Sequence, residues 1–126
     1  MKLRITPNSL RLRVSQSDLA RLMNSGRIEE TIQFAADRAA KLTYALEQSE
    51  SEAEISVVYR TQAVTLVIPV SAARDWAKGD CVGIYGSAMV GEHQLALIVE
   101  KDFACLEHTD RDKIDTFPNP KSGTSC

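Results

Sequence analysis

The stretch LRLRVSQSDLARLMNSGRIEETI at residues 10–32 and the stretch VTLVIPVSAARDWAKGDCVGI at residues 64–84 follow the same pattern. Each has an alternating strand, a serine, a short amphipathic segment, a glycine, a charged residue and the start of another strand. Gly26 aligns with Gly79 when one residue is deleted, and each glycine is expected to end a helix. Two such units can bury their apolar faces against each other, so we expect a pseudo-two-fold strand–helix–strand repeat.

Two short helices are predicted at equivalent positions in these stretches. Ser15 followed by Asp18 is typical of a capping box at the start of the first helix. In the second stretch we expect Ser71, which aligns with Ser17, to cap the helix. Trp76 lies on the apolar side of that second helix and is interpreted as a core residue.

Alternation of apolar and polar residues predicts about eight short strands, with loops at residues 47–54 and 86–91. Such half-polar strands are typical of mostly antiparallel sheets with one face in water. The expected fold class is therefore strand-rich α+β, as a small β-barrel or two packed sheets. The alternating apolar residues are Leu3 and Ile5; Leu10, Leu12 and Val14; Ile28, Ile32 and Phe34; Leu42, Tyr44 and Leu46; Ile55, Val57 and Tyr59; Val64, Leu66 and Ile68; Val82, Ile84 and Tyr85; and Leu95, Leu97 and Val99.

The length of 126 residues fits a single domain that can bury a core. We expect a barrel-like core over residues 1–101 and an irregular tail over residues 102–126. The tail lacks apolar periodicity, and we expect its apolar residues to dock it on the core. Those residues are Phe103, Leu106, Ile114 and Phe117.

The composition is that of a soluble globular protein, with 44% hydrophobic and 25% charged residues. The net charge of −2 argues against nucleic-acid binding through bulk charge. The sequence has no apolar run of the roughly 20 residues that cross a bilayer, and no signal peptide is evident at its start. Three cysteines without metal-like spacing predict free thiols in a reducing cytoplasm.

Four segments resemble a family of small uncharacterised bacterial proteins across essentially the whole chain. They are NSLRLRVSQSD at residues 8–18, LTYALE at 42–47, VEKDFACL at 99–106 and DTFPNP at 115–120. This resemblance implies no activity, because the family is itself of unknown function.

A weaker resemblance is to the AbrB-like swapped-hairpin regulators and antitoxins. Asn8, Ser9 and Leu10 match the start of that family's pattern in the first stretch, and Ile68-Pro69 with Gly79-Asp80 match its later part in the second. The resemblance implies dimerisation and DNA binding through basic residues on hairpins.

Three arginines at alternate positions predict a basic stripe on the solvent face of the first strands: Arg4, Arg11 and Arg13. Guanidinium groups in such a stripe would bind phosphate or carboxylate groups of an anionic ligand. The alternative interpretation is that they serve solubility and pair across strands with Glu29 or Glu30, which is the common role of surface charges.

A second candidate site lies in the tail, at Lys101, Asp102, Cys105 and His108. The Cys-x-x-His spacing supplies half of a zinc site, but the other histidine, His93, is far away in sequence. The alternative is a buried Cys105 that acts as a small hydrophobe beside an exposed His108. We therefore predict no metal and no cofactor.

The function that the sequence favours is a non-enzymatic cytoplasmic binding or interaction domain, with a homodimer or another protein as partner. One alternative is a DNA-binding regulator or antitoxin relative derived from the swapped-hairpin family, although nucleic acid is the less expected partner. The second alternative is a small hydrolase or metal-dependent enzyme. It would need a pocket that holds Cys105 or His108 beside a carboxylate.

Overall fold

A computed structural model describes residues 1–103 of the chain, and this part contains eight strands and two helices. In chain order they are β1 (Lys2–Thr6), β2 (Ser9–Val14), α1 (Gln16–Ser25), β3 (Arg27–Gln33), β4 (Lys41–Ser49), β5 (Ser56–Arg60), β6 (Ala63–Pro69), α2 (Val70–Lys78), β7 (Gly83–Val90) and β8 (His93–Lys101). The strand-rich α+β class predicted from the sequence is confirmed.

The strands form two four-stranded sheets. The first has the order β1-β2-β8-β7 and the second the order β3-β4-β6-β5. In each sheet two antiparallel pairs flank a central parallel pair, which is β2 with β8 in the first sheet and β4 with β6 in the second. Both sheets are therefore mixed. The expectation of a closed barrel is wrong for residues 1–103, because the ladders stay within each sheet and the alternative of two packed sheets applies.

Two contacts connect the edges of the two sheets. Where β1 approaches β3, the α-amino group of Met1 contacts the Glu30 carboxylate. Where β5 approaches β7, the side chain of Ile55 fills the space beside Gly86. At the hairpin ends the sheets do not cover each other, since Ile5 is 59% exposed although its cross-strand partner Leu10 is buried. The two sheets therefore meet at side contacts and share no strand pairing that would close a barrel within residues 1–103.

One hydrophobic cluster joins both sheets and both helices. Trp76 of α2 is 1% exposed, which confirms its predicted core position, and its Nε1–H donates to the Val82 carbonyl oxygen at 3.0 Å. Since a buried indole N–H needs a partner, this bond lets α2 bury its largest side chain. The buried members of the cluster are Leu10, Leu12, Val14, Leu22, Ile28, Tyr44, Leu46, Ile55, Leu66, Ile68, Ala73, Trp76, Leu97 and Val99.

The two helices begin differently. The predicted capping box at α1 is confirmed: the Asp18 N–H donates to Ser15 Oγ, and the Ser15 N–H donates to the Asp18 carboxylate. The predicted serine cap of α2 is wrong. Pro69 holds the N-cap position without a side-chain hydrogen bond, and Ser71 lies inside the helix. Because Pro69 still belongs to β6, the strand runs straight into the helix and leaves no turn for Ser71 to cap.

Glycine follows both helices, as predicted, but in different conformations. Gly26 takes the left-handed conformation with φ of 84°, and its N–H donates to the Leu22 carbonyl oxygen. Gly79 is extended, with φ of −103°. Only the first position therefore needs the conformational freedom of glycine.

The structure also revises two predicted loops. β4 continues to Ser49, so it covers the first part of the predicted loop at residues 47–54. β7 covers most of the predicted loop at residues 86–91, because Gly86 to Val90 pair with β8 in regular register. Glycine in a sequence suggests a loop, but Gly86 lies within a strand because the side chain of Ile55 packs closely against it.

Several expectations about the tail lie outside the described residues, namely those on Cys105, Leu106, His108, Ile114 and Phe117. Phe103, at the end of the described part, is 61% exposed. No helix within residues 1–103 is long and apolar enough to cross a membrane.

Candidate interaction surface

The three predicted arginines lie together on one face of the first sheet. In the β1–β2 pairing, Arg4 lies opposite Arg11, and Lys2 lies opposite Arg13. Directly opposed residues of an antiparallel pair point to the same side of the sheet. The buried neighbours Leu10, Leu12 and Val14 point inward, so these four cations point outward. We call this set, Lys2, Arg4, Arg11 and Arg13, the basic face.

Arg11 is paired with a carboxylate on the neighbouring strand. Its Nε and Nη2 both donate to Glu100 Oε1, at 2.9 and 2.6 Å, and the Tyr85 hydroxyl donates to Glu100 Oε2 at 2.9 Å. Burial would raise the pKa of the Glu100 carboxyl, but the bonds from Arg11 and Tyr85 outweigh it and hold that pKa below its ordinary value. Burial, together with the same bond to Glu100, raises the pKa of Tyr85.

The predicted pairing of the arginines with Glu29 or Glu30 is wrong for Arg11. The carboxylate of Glu29 binds Arg27 at 3.0 Å, and that of Glu30 binds the Met1 amino group at 2.9 Å. Glu29 and Glu30 belong to β3 in the other sheet, whereas β8 pairs with β2 and brings Glu100 beside the stripe.

The basic face keeps an excess of positive charge. Lys2 pairs with Asp102 at 2.9 Å, and Arg11 pairs with Glu100. Within residues 1–103, no ion pair engages Arg4 or Arg13. Four cations against two carboxylates leave a net charge of +2 here, on a chain whose net charge is −2.

Beside the basic face lies an apolar strip on β7 and β8. Tyr85 is 56% exposed and Met89 is 64% exposed. Tyr85 lies opposite Ile98, and Ile98 is the register neighbour of Arg11. The same outer surface of the first sheet thus carries arginines at one side and an aromatic ring and a thioether at the other. The position of Met89 on this sheet face was not predicted from the sequence, because Gly86 suggested a loop. The alternation of Tyr85, Ser87 and Met89 was the available signal.

A separate cluster of charges lies between β1, α1 and β3, with Met1 and Asp18 buried at its centre and Glu30 and Arg21 partly exposed. The Met1 amino group is 3.0 Å from Asp18 Oδ2 and 2.9 Å from Glu30 Oε2, and Arg21 Nη2 is 2.7 Å from Asp18 Oδ1. The Tyr44 hydroxyl donates to Glu30 at 3.0 Å. Each carboxylate is satisfied by partners within the fold, so we assign this cluster a structural role.

The pKa values in the buried cluster follow from these bonds. Burial would raise the pKa of the Asp18 carboxyl, but the bonds from Ser15, Met1 and Arg21 outweigh it and hold this pKa far below its ordinary value of 3.8. Burial would lower the pKa of the Met1 amine, but the bonds to Glu30 and Asp18 raise it above 8.0. Both groups are therefore charged at neutral pH.

The predicted tail site is only partly within the described residues. Lys101 Nζ donates to the Gly79 carbonyl oxygen at 3.1 Å, while Asp102 pairs with Lys2. Lys101 and Asp102 thus bind different neighbours and do not form a common site within residues 1–103. Cys105 and His108 lie outside residues 1–103. Within that range, no group of three or more His, Cys, Asp and Glu side chains could hold a metal ion.

A groove of about 510 Å³ lies at the helical end of the fold, where β8 ends beside α1 and α2. We call it the helix groove. It is lined by Val14, Ser15, Gln16, Leu19, Ala20, Met23, Ala77, Lys101, Asp102 and Phe103.

Fold and surface together define a strand-rich α+β domain with one outer sheet face that combines exposed and half-buried arginines with exposed apolar side chains. The chain belongs to a family of unknown function, DUF7009, whose family model matches residues 1–121. This match confirms the resemblance to uncharacterised small proteins that the sequence indicated. No curated protein matches the chain, and no solved structure does. Family membership assigns no activity, so the function is unknown.

Proposed function

We propose that this protein is a non-enzymatic binding domain and that the outer surface of the first sheet binds an acidic protein partner. The observation that carries the proposal is the basic face, where Arg4 lies opposite Arg11 at the centre of four in-register cations with a net charge of +2. A local positive field on an acidic chain attracts and orients a negatively charged partner.

The apolar strip favours a protein over a nucleic acid as this partner. Arginine, tyrosine and methionine are enriched at protein interfaces, whereas lysine and glutamate are depleted there. Arg4 and Arg13 offer planar guanidinium groups that bind carboxylates through two parallel hydrogen bonds. Tyr85 and Met89 add apolar area next to them. The partner surface that fits would alternate carboxylates with apolar side chains.

The setting that we propose is a bacterial cytoplasm, in keeping with the free, exposed thiol of Cys81. A second copy of the chain fits as the partner only if its surface is acidic at the contact. The outer face of the second sheet carries Glu29 and Glu47, but both contact Arg27. A different protein is therefore the better fit.

A second candidate is a DNA-binding relative of the swapped-hairpin regulators. The observation that favours it is the strand arrangement. If β1, β2, β3 and β4 are exchanged with β5, β6, β7 and β8 respectively, the first sheet's order β1-β2-β8-β7 becomes β5-β6-β4-β3. This is the order of the second sheet read from its other edge. This exchange supports a pseudo-two-fold repeat of two strand–helix–strand units within one chain. The basic residues also lie on the β1–β2 hairpin, the element through which that family is expected to bind DNA.

The two candidates are separated by fluorescence anisotropy with two labelled probes, an acidic peptide that alternates Glu with Leu and a DNA duplex. Under the proposal the peptide binds more tightly than the duplex at moderate salt. The double variant Arg4→Gln/Arg13→Gln should weaken peptide binding about tenfold, since it removes two charge-assisted contacts. The matched control is Arg60→Gln/Arg74→Gln, which removes the same charge from exposed positions elsewhere.

Equal weakening in both double variants would contradict the proposed site, because only bulk charge would then matter. Tighter binding of the duplex, with a steep dependence on salt that the Arg4→Gln/Arg13→Gln variant reduces, would favour the second candidate instead.

A further inference from the structure

We propose that the segment following Phe103 folds back into the helix groove and that Leu106 is its apolar anchor. The groove wall is formed by Leu19, Ala20 and Met23 of α1 and by Ala77 of α2. Leu19 and Met23 are only half-buried, although Leu22 of the same helix is fully buried. The side of α1 that faces the groove thus keeps apolar area that a further segment can cover.

Backbone hydrogen bonds place the end of β8 beside this groove. The Lys101 N–H donates to the Val82 carbonyl oxygen at 3.0 Å, and the Asp102 N–H donates to the Val14 carbonyl oxygen at 2.8 Å. These bonds fix the end of β8 between β7 and the end of β2. Phe103 then lies at the groove while 61% exposed. The described part of the chain therefore ends at the groove.

The sequence after Phe103 suits this position. Ala104, Cys105 and Leu106 form an uninterrupted apolar run, and the next nine residues are almost all polar or charged. Three extended residues span about 10 Å, comparable to the diameter of a helix with its side chains. Leu106 can therefore reach α1 without a long linker, and a short tether gives a high effective concentration.

The family match also includes the tail. The last strand within residues 1–103 ends at Lys101, but the family model runs to residue 121. A family unit that extends 20 residues past this strand supports a tail that belongs to the domain. The groove volume of about 510 Å³ is of the size that encloses several side chains or a small ligand.

Disulfide trapping tests this docking in the full chain. Cys81→Ser and Cys126→Ser leave Cys105 as the one native thiol, and Ala20→Cys then places a second thiol on the groove wall. Gln16→Cys, also at the groove, serves if the first variant does not fold. Thr31→Cys, exposed on the second sheet, is the matched control. We expect an intramolecular disulfide with position 20 or 16 and none with position 31.

The tether alone brings Cys105 near the groove, so the anchor must be tested separately. Leu106→Asp keeps the same tether but removes the apolar contact, and it should slow disulfide formation about tenfold. Leu106→Met should leave the rate nearly unchanged. An unchanged rate with Leu106→Asp would overturn the proposal. A disulfide-linked dimer in place of the intramolecular bond would also overturn it, since the groove would then accept a second copy.

Discussion

Ile55 occupies the space that a side chain at Gly86 would need. A Cβ built on Gly86 would overlap Cγ2 of Ile55, which is 5% exposed. Ile55 precedes β5 and Gly86 lies within β7, so this contact joins the edges of the two sheets. The glycine therefore serves sheet packing, and its cost to strand stability is offset by the burial of an isoleucine.

The first prediction concerns this contact. Gly86→Ala should destabilise the protein by about 2 kcal/mol, because the new methyl group must displace Ile55 or open the seam. Ser87→Ala, one residue further on the exposed face, should change stability by less than about 0.5 kcal/mol. Urea unfolding followed by circular dichroism measures both changes.

A double-mutant cycle makes this prediction specific to Ile55. Ile55→Ala removes Cγ2, so Gly86→Ala should cost clearly less in that background than in the parent protein. Strictly additive effects of the two substitutions would show that the cost at position 86 arises elsewhere.

The second prediction concerns Ser15 and Ser71, which lie near the starts of the two helices. Ser15→Ala should cost about 1 kcal/mol, because the Asp18 N–H loses its acceptor and the capping box is broken. Ser71→Ala should be neutral or slightly stabilising, since Ser71 is exposed inside α2 and alanine favours helix. Thermal unfolding of the two variants side by side measures the difference. Equal losses would mean that Ser71 also caps its helix.

Local patterns in the sequence predicted much of the fold. The alternation of apolar residues located the eight strands, and the pair Ser15 and Asp18 marked the start of α1, because these signals depend only on neighbouring residues. Pairing between distant strands could not be derived in this way. The parallel contact of β2 with β8 joins segments about 90 residues apart, and it is this contact that gives Arg11 the partner Glu100.

The candidate interaction surface was predicted only in part for the same reason. Arg4, Arg11 and Arg13 were identified by their spacing on one hairpin, which is a local property. Tyr85 and Met89 reach the same surface through the first sheet's strand order, β1-β2-β8-β7. That order depends on packing of the whole chain.

The third prediction concerns the buried charge cluster. Asp18→Asn should destabilise the protein by about 2 kcal/mol at pH 7, because the Met1 amino group, 3.0 Å away, loses the buried one of its two counter-charges and keeps only Glu30. Asparagine has nearly the same size as aspartate, so the loss of stability measures the contribution of the negative charge. Asp75→Asn, at an exposed position on α2, is the matched control and should have little effect. Chemical denaturation at pH 7 measures both variants.

The fourth prediction is the pH dependence of that cluster. The Asp18 pKa is lower in the folded state than its ordinary value of 3.8, so its stabilisation is complete above that value and is lost as the pH falls below it. The Met1 amine has a pKa raised above 8.0, so its stabilisation is complete below pH 8 and is lost as the pH rises further. Unfolding free energies from pH 2 to 10 should therefore show a plateau with a fall on each side.

Asp18→Asn provides the control for this pH profile. The difference in stability between the parent protein and Asp18→Asn should narrow below pH of about 4, because the parent then loses the charge that the variant already lacks. If this difference in stability stays constant down to pH 2, the loss of stability at low pH does not arise from Asp18.

The fifth prediction concerns the ion pair between Arg11 and Glu100, and its two partners should have opposite effects on binding. Glu100→Gln releases Arg11 and raises the net charge of the basic face from +2 to +3, so the acidic peptide should bind about threefold more tightly. Arg11→Gln removes a cation and should weaken binding by a similar factor. Glutamine at position 100 can still accept a hydrogen bond from Tyr85, which keeps that side chain in place.

Salt separates this charge effect from a change in structure. Because Lys2 and Arg4 of the basic face are exposed to solvent, the gain from Glu100→Gln should shrink as ionic strength rises from about 0.05 to 0.5 M. A loss of affinity in Glu100→Gln would mean that the Glu100 carboxylate orients Arg11 for the partner. The ion pair would then be part of the binding site, and the free charge of the face would not control affinity.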